Sequence, residues 1–213
     1  FNAIHHTITP TRSEGTDVTN QKKGRKGLEN AIYVTNSWKA SDRLHVDYGI
    51  RLSSYHVLGG NTYNIYKSNE LADSIVLASG KIGKSYYNFE PRISASYRLN
   101  NGSTVKMGYA RNTQNLHMMS NSTGGSPTDA WIGNSYNIKP EIADQLSVGF
   151  SKTLADNMFE LSTEAYYKSM QNQIDYRDGA DINTAPDVES ELLFGKGRAY
   201  GIEVLLKKKS GKL

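Results

Sequence analysis

The chain alternates between apolar and polar residues over long stretches. Phe89, Pro91, Ile93, Ala95, Tyr97 and Leu99 are interleaved with Glu90, Arg92, Ser94, Ser96 and Arg98. Val105, Met107 and Tyr109 are interleaved with Thr104, Lys106 and Gly108. Successive strand side chains point to opposite faces, so each run predicts a strand with one apolar and one polar face. Asn-Asn-Gly at 100–102 tolerates positive φ and predicts a tight hairpin turn between the two.

The same period recurs along the chain. It predicts a strand end at 1–9 and strands at 31–38 and 44–52. Further strands are predicted through Leu146–Phe150, Phe159–Tyr167 and Tyr200–Leu206, giving about eight in all. Long polar connections at 10–29, 56–85, 113–142 and 172–197 alternate with short turns at 39–42, 100–102 and 153–157. In an antiparallel up-and-down meander this places every long connection at one end. Transmembrane barrels have that order, with short turns on the periplasmic side and long loops outside. Trp38, Tyr97, Phe150 and Phe159 lie near short turns. Tyr48, Phe89, Tyr109 and Tyr167 lie about 6 to 12 residues further along, close to the span of a bilayer. These predict two aromatic belts. Gly49, Gly108, Gly149 and Gly201 share the polar face, as close approach by a luminal plug would require, or as simple tolerance would allow.

Composition narrows the picture. The 213 residues suffice for one domain; 14 Tyr, 19 Gly and 37% hydrophobic residues are unusual for a soluble globule. No run of 18 apolar residues predicts a membrane helix, which leaves a barrel open. The net charge of +4 is spread among acids apart from a C-terminal cluster, so no nucleic-acid footprint is expected. With no Cys, neither a disulfide frame nor a thiolate site is available. The chain opens on Phe1 without a signal segment and breaks off after a strand in KKKSGKL, as if both ends were cut from a longer chain.

Three segments carry a family resemblance: NFEPRISASYRLNNGSTVKMGYARNTQNLH, NIKPEIADQLSVGFSKTLADNMFELSTEAYYKSMQNQIDY and GKGRAYGIEVLLKKKSG. Together they resemble the barrel of TonB-dependent outer-membrane receptors, especially those of Bacteroidetes-type bacteria. The resemblance covers most of residues 28–213. It implies an all-β fold in which 1–213 is a partial barrel domain of a 22-stranded outer-membrane barrel, with the plug and the remaining strands absent. It further implies outer-membrane lipid as surroundings, contact with the TonB complex through the absent N-terminal region, and a small nutrient ligand.

Other motifs are weaker. ASGKIGKS at 78–85 approximates a phosphate-binding loop, but the chain continues as a strand through Pro91 where that chemistry needs a helix. His5 and His6 are adjacent on a strand and point apart, against joint metal binding. His45 and Asp47 share the polar face. Asp175, Asp178 and Asp181 are too widely spaced for a tight calcium loop. In the third long loop, His117, Asp129, Trp131 and Tyr136 are candidate ligand contacts, the Trp as a sugar or siderophore platform or as loop packing. No catalytic constellation, metal site or cofactor is expected.

The expected function is therefore part of the barrel of a TonB-dependent transporter in the outer membrane of a Gram-negative bacterium. It would take up a siderophore, haem, cobalamin, a glycan or a peptide, and it is no enzyme. The alternatives are a soluble β-rich binding or adhesion domain, or a passive porin-like channel. Mixed loops and turns at both ends of the sheet, or a shared interior for Leu44, Ile93, Tyr97, Val148 and Ile202, would exclude the membrane wall.

Overall fold

The computed structural model describes residues 1–8, 24–100, 102–119, 130–155, 158–180 and 187–209. Twelve strands lie in this part of the chain: β1 (Asn2–Ile8), β2 (Arg25–Lys39), β3 (Leu44–Leu58), β4 (Asn61–Lys67), β5 (Glu70–Leu77), β6 (Ile82–Asn100), β7 (Ser103–Gln114), β8 (Leu116–Met119), β9 (Ala130–Gly133), β10 (Glu141–Leu154), β11 (Phe159–Tyr176) and β12 (Leu192–Lys208). Eight of them form one sheet in the order β1-β2-β3-β6-β7-β10-β11-β12. Every ladder is antiparallel. The short turns β2–β3, β6–β7 and β10–β11 all leave one end, and the long connections all leave the other.

The expected eight wall strands are present, but several are longer than the alternation indicated. β2 starts at Arg25 rather than residue 31, and β11 runs on to Tyr176. Two long connections also hold hairpins, β4–β5 and β8–β9. Ser68 and Asn69 turn the first with φ of 50° and 66°, the left-handed conformation a tight hairpin demands.

The register shows a stagger of constant sign. Leu44, the first strand residue after one short turn, pairs with Tyr97, which lies before the next turn at Gly102. Ser103, the first after that turn, pairs with Lys152, which lies before the turn that starts at Ala155. Each hairpin is thus displaced along its neighbour in the same direction. A wall of tilted strands closing into a barrel requires this displacement.

Faces follow from pairing. Tyr48, Ile93, Tyr109, Leu146, Tyr167 and Tyr200 occupy one cross-strand row on the apolar, outward face. Ile93, Tyr97, Val148 and Ile202 are 51%, 43%, 43% and 75% exposed, and Leu44 is half-buried, so they share no interior. A soluble sandwich would cover this face with a second sheet. The buried clusters lie instead at the loop end: Tyr55, Val57 and Tyr63 in one, Met119, Ile132, Ile138 and Leu192 in the other.

The β6–β7 ladder stops at Arg92, next to Pro91, which has no N–H to give to a ladder. Beyond that point the side chains of Asn88 and Asn115 meet. On the polar face, Gly49 and Gly201 are hemmed by their own wall: an added Cβ would come to 2.7 Å from the Val34 carbonyl oxygen and 2.9 Å from the Tyr166 hydroxyl. Gly108 and Gly149 have ordinary space of 3.5 Å, so the wall itself accounts for two of the four.

Candidate functional site: an outer-loop cap over a polar trough

At the loop end, parts of three long connections fold inward over the polar face and are bonded to it. Arg25, inward on β2, lies 4.6 Å from the centroid of the Tyr63 ring of β4. Its guanidinium donates to the Thr62 carbonyl (3.2 Å) and to Glu189 Oε1 (3.4 Å), and it is 3.5 Å from Asp187 Oδ2. Glu189 sits in a 3-10 turn, Val188–Glu191, capped by Asp187, whose carboxylate accepts the Glu189 N–H. The second Glu189 oxygen accepts from Ser135 Oγ (2.7 Å) and from the Asn137 amide (2.5 Å). Asn137 also donates to the Asn64 carbonyl and accepts from the Tyr66 N–H. One buried carboxylate therefore joins a wall strand to segments of all three loops. Burial pushes the Glu189 carboxyl up from its ordinary range, opposed by the Arg25 charge.

A second polar chain runs down the inward face. His117 Nε2 donates to Asn134 Oδ1 (3.0 Å), and the Asn134 amide donates to Asn115 Oδ1 (2.8 Å). Asn88 bridges Asn115 to Ser53, whose hydroxyl donates to Glu90 (2.7 Å). Arg51 lies 3.6 Å from Glu90 and 3.5 Å from Glu29.

Between the two networks the Tyr55 ring wedges the hairpin against the wall. A Cβ on Gly27 of β2 or on Gly133 of β9 would overlap the Tyr55 hydroxyl, so both positions need Gly for close approach. Tyr86 donates to the Ser135 carbonyl (2.6 Å). Further along the wall, toward the short turns, lies an open trough of about 570 Å³, lined by Ser37, Asp47, Arg92, Ser94, Gln145 and Ser147 and also by Tyr48, Ile93 and Tyr109. Hydroxyls, amides and charges of both signs face into it. The arrangement suits reversible binding of a polar group.

The residues anticipated as ligand contacts separate in space. His117 is buried and pairs with Ile132 across the β8–β9 hairpin. Tyr136 is half-buried, its ring 5.4 Å from that of Tyr63, and its carbonyl accepts from Lys84. Trp131 pairs with Met118, and both are exposed. They share the hairpin face of Gly133, the face that meets Tyr55 of the wall. Asp129 lies outside the described residues, as does Asp181. His5 and His6 point apart, with His6 beside Glu29 and Tyr55. His45 and Asp47 are 3.2 Å apart on the exposed wall, both bonded to Ser37. Residues 78–85 lead from a turn into β6, with no helix behind them. Among the described residues no group of three or more His, Asp or Glu could hold a metal ion.

Glu189 and Arg25 were not anticipated. The available signal was the Asp187-Val-Glu189 start of a helical turn, an N-cap followed by acids.

The family model described as TonB dependent receptor-like, beta-barrel, matches residues 2–209. No curated protein matches. Among solved structures, the chain is similar to the ferric-catecholate import receptor Fiu of E. coli K12 in its closed form, at 18% identity and a TM-score of 0.52, covering 87% of this chain and 26% of that one. It is similar to the FrpB iron transporter of Neisseria meningitidis (F5-1 variant, apoprotein form), at 12% identity and a TM-score of 0.57, covering 91% and 25%. It is also similar to the ferripyoverdine receptor of Pseudomonas aeruginosa bound to ferripyoverdine, at 15% identity and a TM-score of 0.52, covering 89% and 21%. At these identities the likeness is one of fold, and the chain spans about a quarter of the length of the first two and less of the third.

Proposed function

We propose, on the premise that this chain belongs to the TonB-dependent receptor-like β-barrel family, that it builds wall strands and outer loops of a receptor capturing a scarce nutrient. Barrels of this family stand in the outer membrane of Gram-negative bacteria. The chain works as a partial barrel domain: the remaining strands, the plug and the region that contacts the TonB complex lie outside it. Its role is binding and passage rather than catalysis. The observation that carries the reading is the cap, in which segments of three long connections leave one end of the sheet and bond to one another and to the inward face of the wall.

The ligand is a small nutrient that meets the loops before the trough. Trp131 is the candidate contact, an exposed aromatic beside Met118 on the hairpin face turned to the wall. His117 and Tyr136 support it from within the cap. Two fold neighbours are a ferric-catecholate import receptor and a ferripyoverdine receptor, which supports a ferric siderophore ahead of haem, cobalamin, a glycan or a peptide.

The test uses the full-length receptor in cells. The chain has no Cys, so a cysteine introduced into it is unique there. Leu71→Cys, in the β4–β5 hairpin, should react with an impermeant maleimide on intact cells, and Ser41→Cys only after the outer membrane is opened. Uptake of radio-iron from a panel of ferric chelates should be lost on deletion and lowered by Trp131→Ala. Labelling of Ser41→Cys on intact cells would reject the orientation, and failure with every chelate would reject the siderophore class.

A further inference from the structure

We propose that the cap binds a divalent transition-metal ion of the zinc class between His117 Nδ1 and the Glu141 carboxylate. The ion would tie the β8–β9 hairpin to the first residue of β10. The inference goes beyond nutrient capture and needs no particular captured ligand.

Two acceptors face each other here. The His117 side chain is 3% exposed, and its Nε2–H is taken by Asn134 Oδ1 at 3.0 Å. Asn134 is itself oriented, because its amide donates to Asn115 Oδ1 at 2.8 Å. The imidazole therefore carries its proton on Nε2 and a lone pair on Nδ1. Nδ1 is buried and has no hydrogen-bond partner among the described residues. Glu141 Oε1 stands 3.7 Å from it, and no described Lys or Arg pairs with Glu141. A lone pair and a carboxylate repel each other unless a cation lies between them.

Distance selects the cation. A proton shared by the pair would draw nitrogen and oxygen to about 2.7–2.9 Å, and 3.7 Å is beyond hydrogen-bond reach. Zn²⁺ lies about 2.0–2.1 Å from an imidazole nitrogen and about 2.0–2.2 Å from a carboxylate oxygen, so an ion bonded to both at a wide angle spans the observed gap. A second ring nitrogen donating to a carbonyl oxygen, as Nε2 does to Asn134, orients a metal-binding histidine and raises its basicity. Gln114 lies opposite Glu141 in the β7–β10 ladder, and its amide nitrogen is bonded to the Leu116 carbonyl at 2.9 Å. Its amide oxygen is left as a neutral donor beside the carboxylate. Imidazole with carboxylate favours Zn²⁺, Cu²⁺ or Ni²⁺ over Mg²⁺ and Ca²⁺, which take oxygen shells. Glu141 is 21% exposed, so water completes the coordination and the ion exchanges. The thin donor set is also why no group of three His, Asp or Glu marks the place among the described residues.

The test uses the purified full-length receptor in detergent, stripped with a chelator and titrated with Zn²⁺ or Mg²⁺ at constant pH and ionic strength. At about ten times its Kd, Zn²⁺ should slow amide exchange over 116–119 and 130–134 by about tenfold, and Mg²⁺ should not. His117→Gln keeps a donor for Asn134 and removes Nδ1, and Glu141→Gln removes the carboxylate charge. Each should weaken Zn²⁺ by about tenfold or more, with barrel assembly, read as heat-modifiable mobility, unchanged. Cu²⁺ should give an electron paramagnetic resonance signal of one imidazole nitrogen that Zn²⁺ displaces and His117→Gln loses. His56→Gln, in β3 next to Ser85 of β6, should alter neither readout. Equal slowing by Mg²⁺, or by Zn²⁺ in either variant, would overturn the inference. Slowing on acidification without a response to Zn²⁺ would do the same, because a proton then bridges the pair. The metal response is read with no captured ligand present, so its failure leaves the proposed function standing.

Discussion

Phe150→Arg gives a direct test of the face assignment. β10 is an interior strand, paired with β7 and β11 on its two sides. From Leu146 to Leu154 its outward residues are Leu146, Val148, Phe150, Lys152 and Leu154; Phe150, expected from its spacing in the belt beside the short turn, is the middle one of this span instead. Its cross-strand neighbours are Val105 and Thr163, neither of which can pair with a guanidinium. An arginine on the lipid face at the midplane costs about 2–4 kcal/mol, or roughly 30- to 900-fold in the folding equilibrium. Ser151, the next residue, faces inward beside Thr104 and Ser162. Arginine there stays in water and should cost no more than about 0.5 kcal/mol. Ile93→Arg should fall between, because Ile93 lies in the row of Tyr48 and Tyr109, nearer the interface, where the penalty shrinks. Ser94→Arg should match Ser151→Arg. The assay is a urea titration of the intact receptor folding into vesicles, read by heat-modifiable gel mobility. Equal shifts for Phe150→Arg and Ser151→Arg, or a larger one for Ser151→Arg, would refute the assignment.

The cap yields further predictions. Gly133→Ala should loosen the β8–β9 hairpin, read as faster amide exchange over 130–138; Tyr55→Phe should restore it, because the nearest remaining atom of Tyr55 is 3.4 Å from the added Cβ. Gly27→Ala should not be restored, since the ring carbons also block that Cβ. Glu189→Ala strands two donors, buried Ser135 and half-buried Asn137, and should destabilise the cap by about 1–3 kcal/mol, seen as protease cleavage between 177 and 191. Burial raises the Glu189 carboxyl, so the closed cap binds more protons than the open one. Its stability is then fullest below the ordinary carboxylate range and declines as pH rises toward the raised value; exchange at 187–191 should slow on acidification, and Glu189→Gln should remove that dependence. Arg25→Ala should speed exchange in 61–77, 130–138 and 187–191 together, because a single carboxylate links the three.

Strand alternation exposed the wall because one face meets a different medium from the other. Leu146, Val148 and Phe150 against Ser147, Gly149 and Ser151 is a pattern that only a two-faced sheet explains. The extensions of β2 and β11 escaped notice because above the apolar band the outward face turns polar, as in Asn30 of β2 and Ser169 and Gln171 of β11, and the period-2 signal vanishes. The β4–β5 hairpin was hidden because Leu71 and Val76 are exposed while Tyr63 is buried, so apolar residues mark no common face. Periodicity also carries no depth. His117 looked like a loop contact and is buried against Asn134, and the site's main carboxylate, Glu189, lies in a stretch that reads as solvated loop.

The wall and the cap depend on each other through curvature. The β8–β9 hairpin touches β1 and β2 on one flank and β11 on the other, strands that stand far apart in the order of the sheet. A short hairpin can bridge them only where the sheet curls around it, and the one-signed stagger of the short turns makes a tilted, curling wall. The bonds that hold the cap come from inward residues near the loop ends of the wall strands, Arg25, Tyr55 and Tyr86. Flattening the sheet would pull these apart, and removing the cap would leave Glu90 and Arg51 facing open solvent beneath it. The wall's curvature thus sets where the β8–β9 hairpin, with Trp131 on it, can sit between β1, β2 and β11.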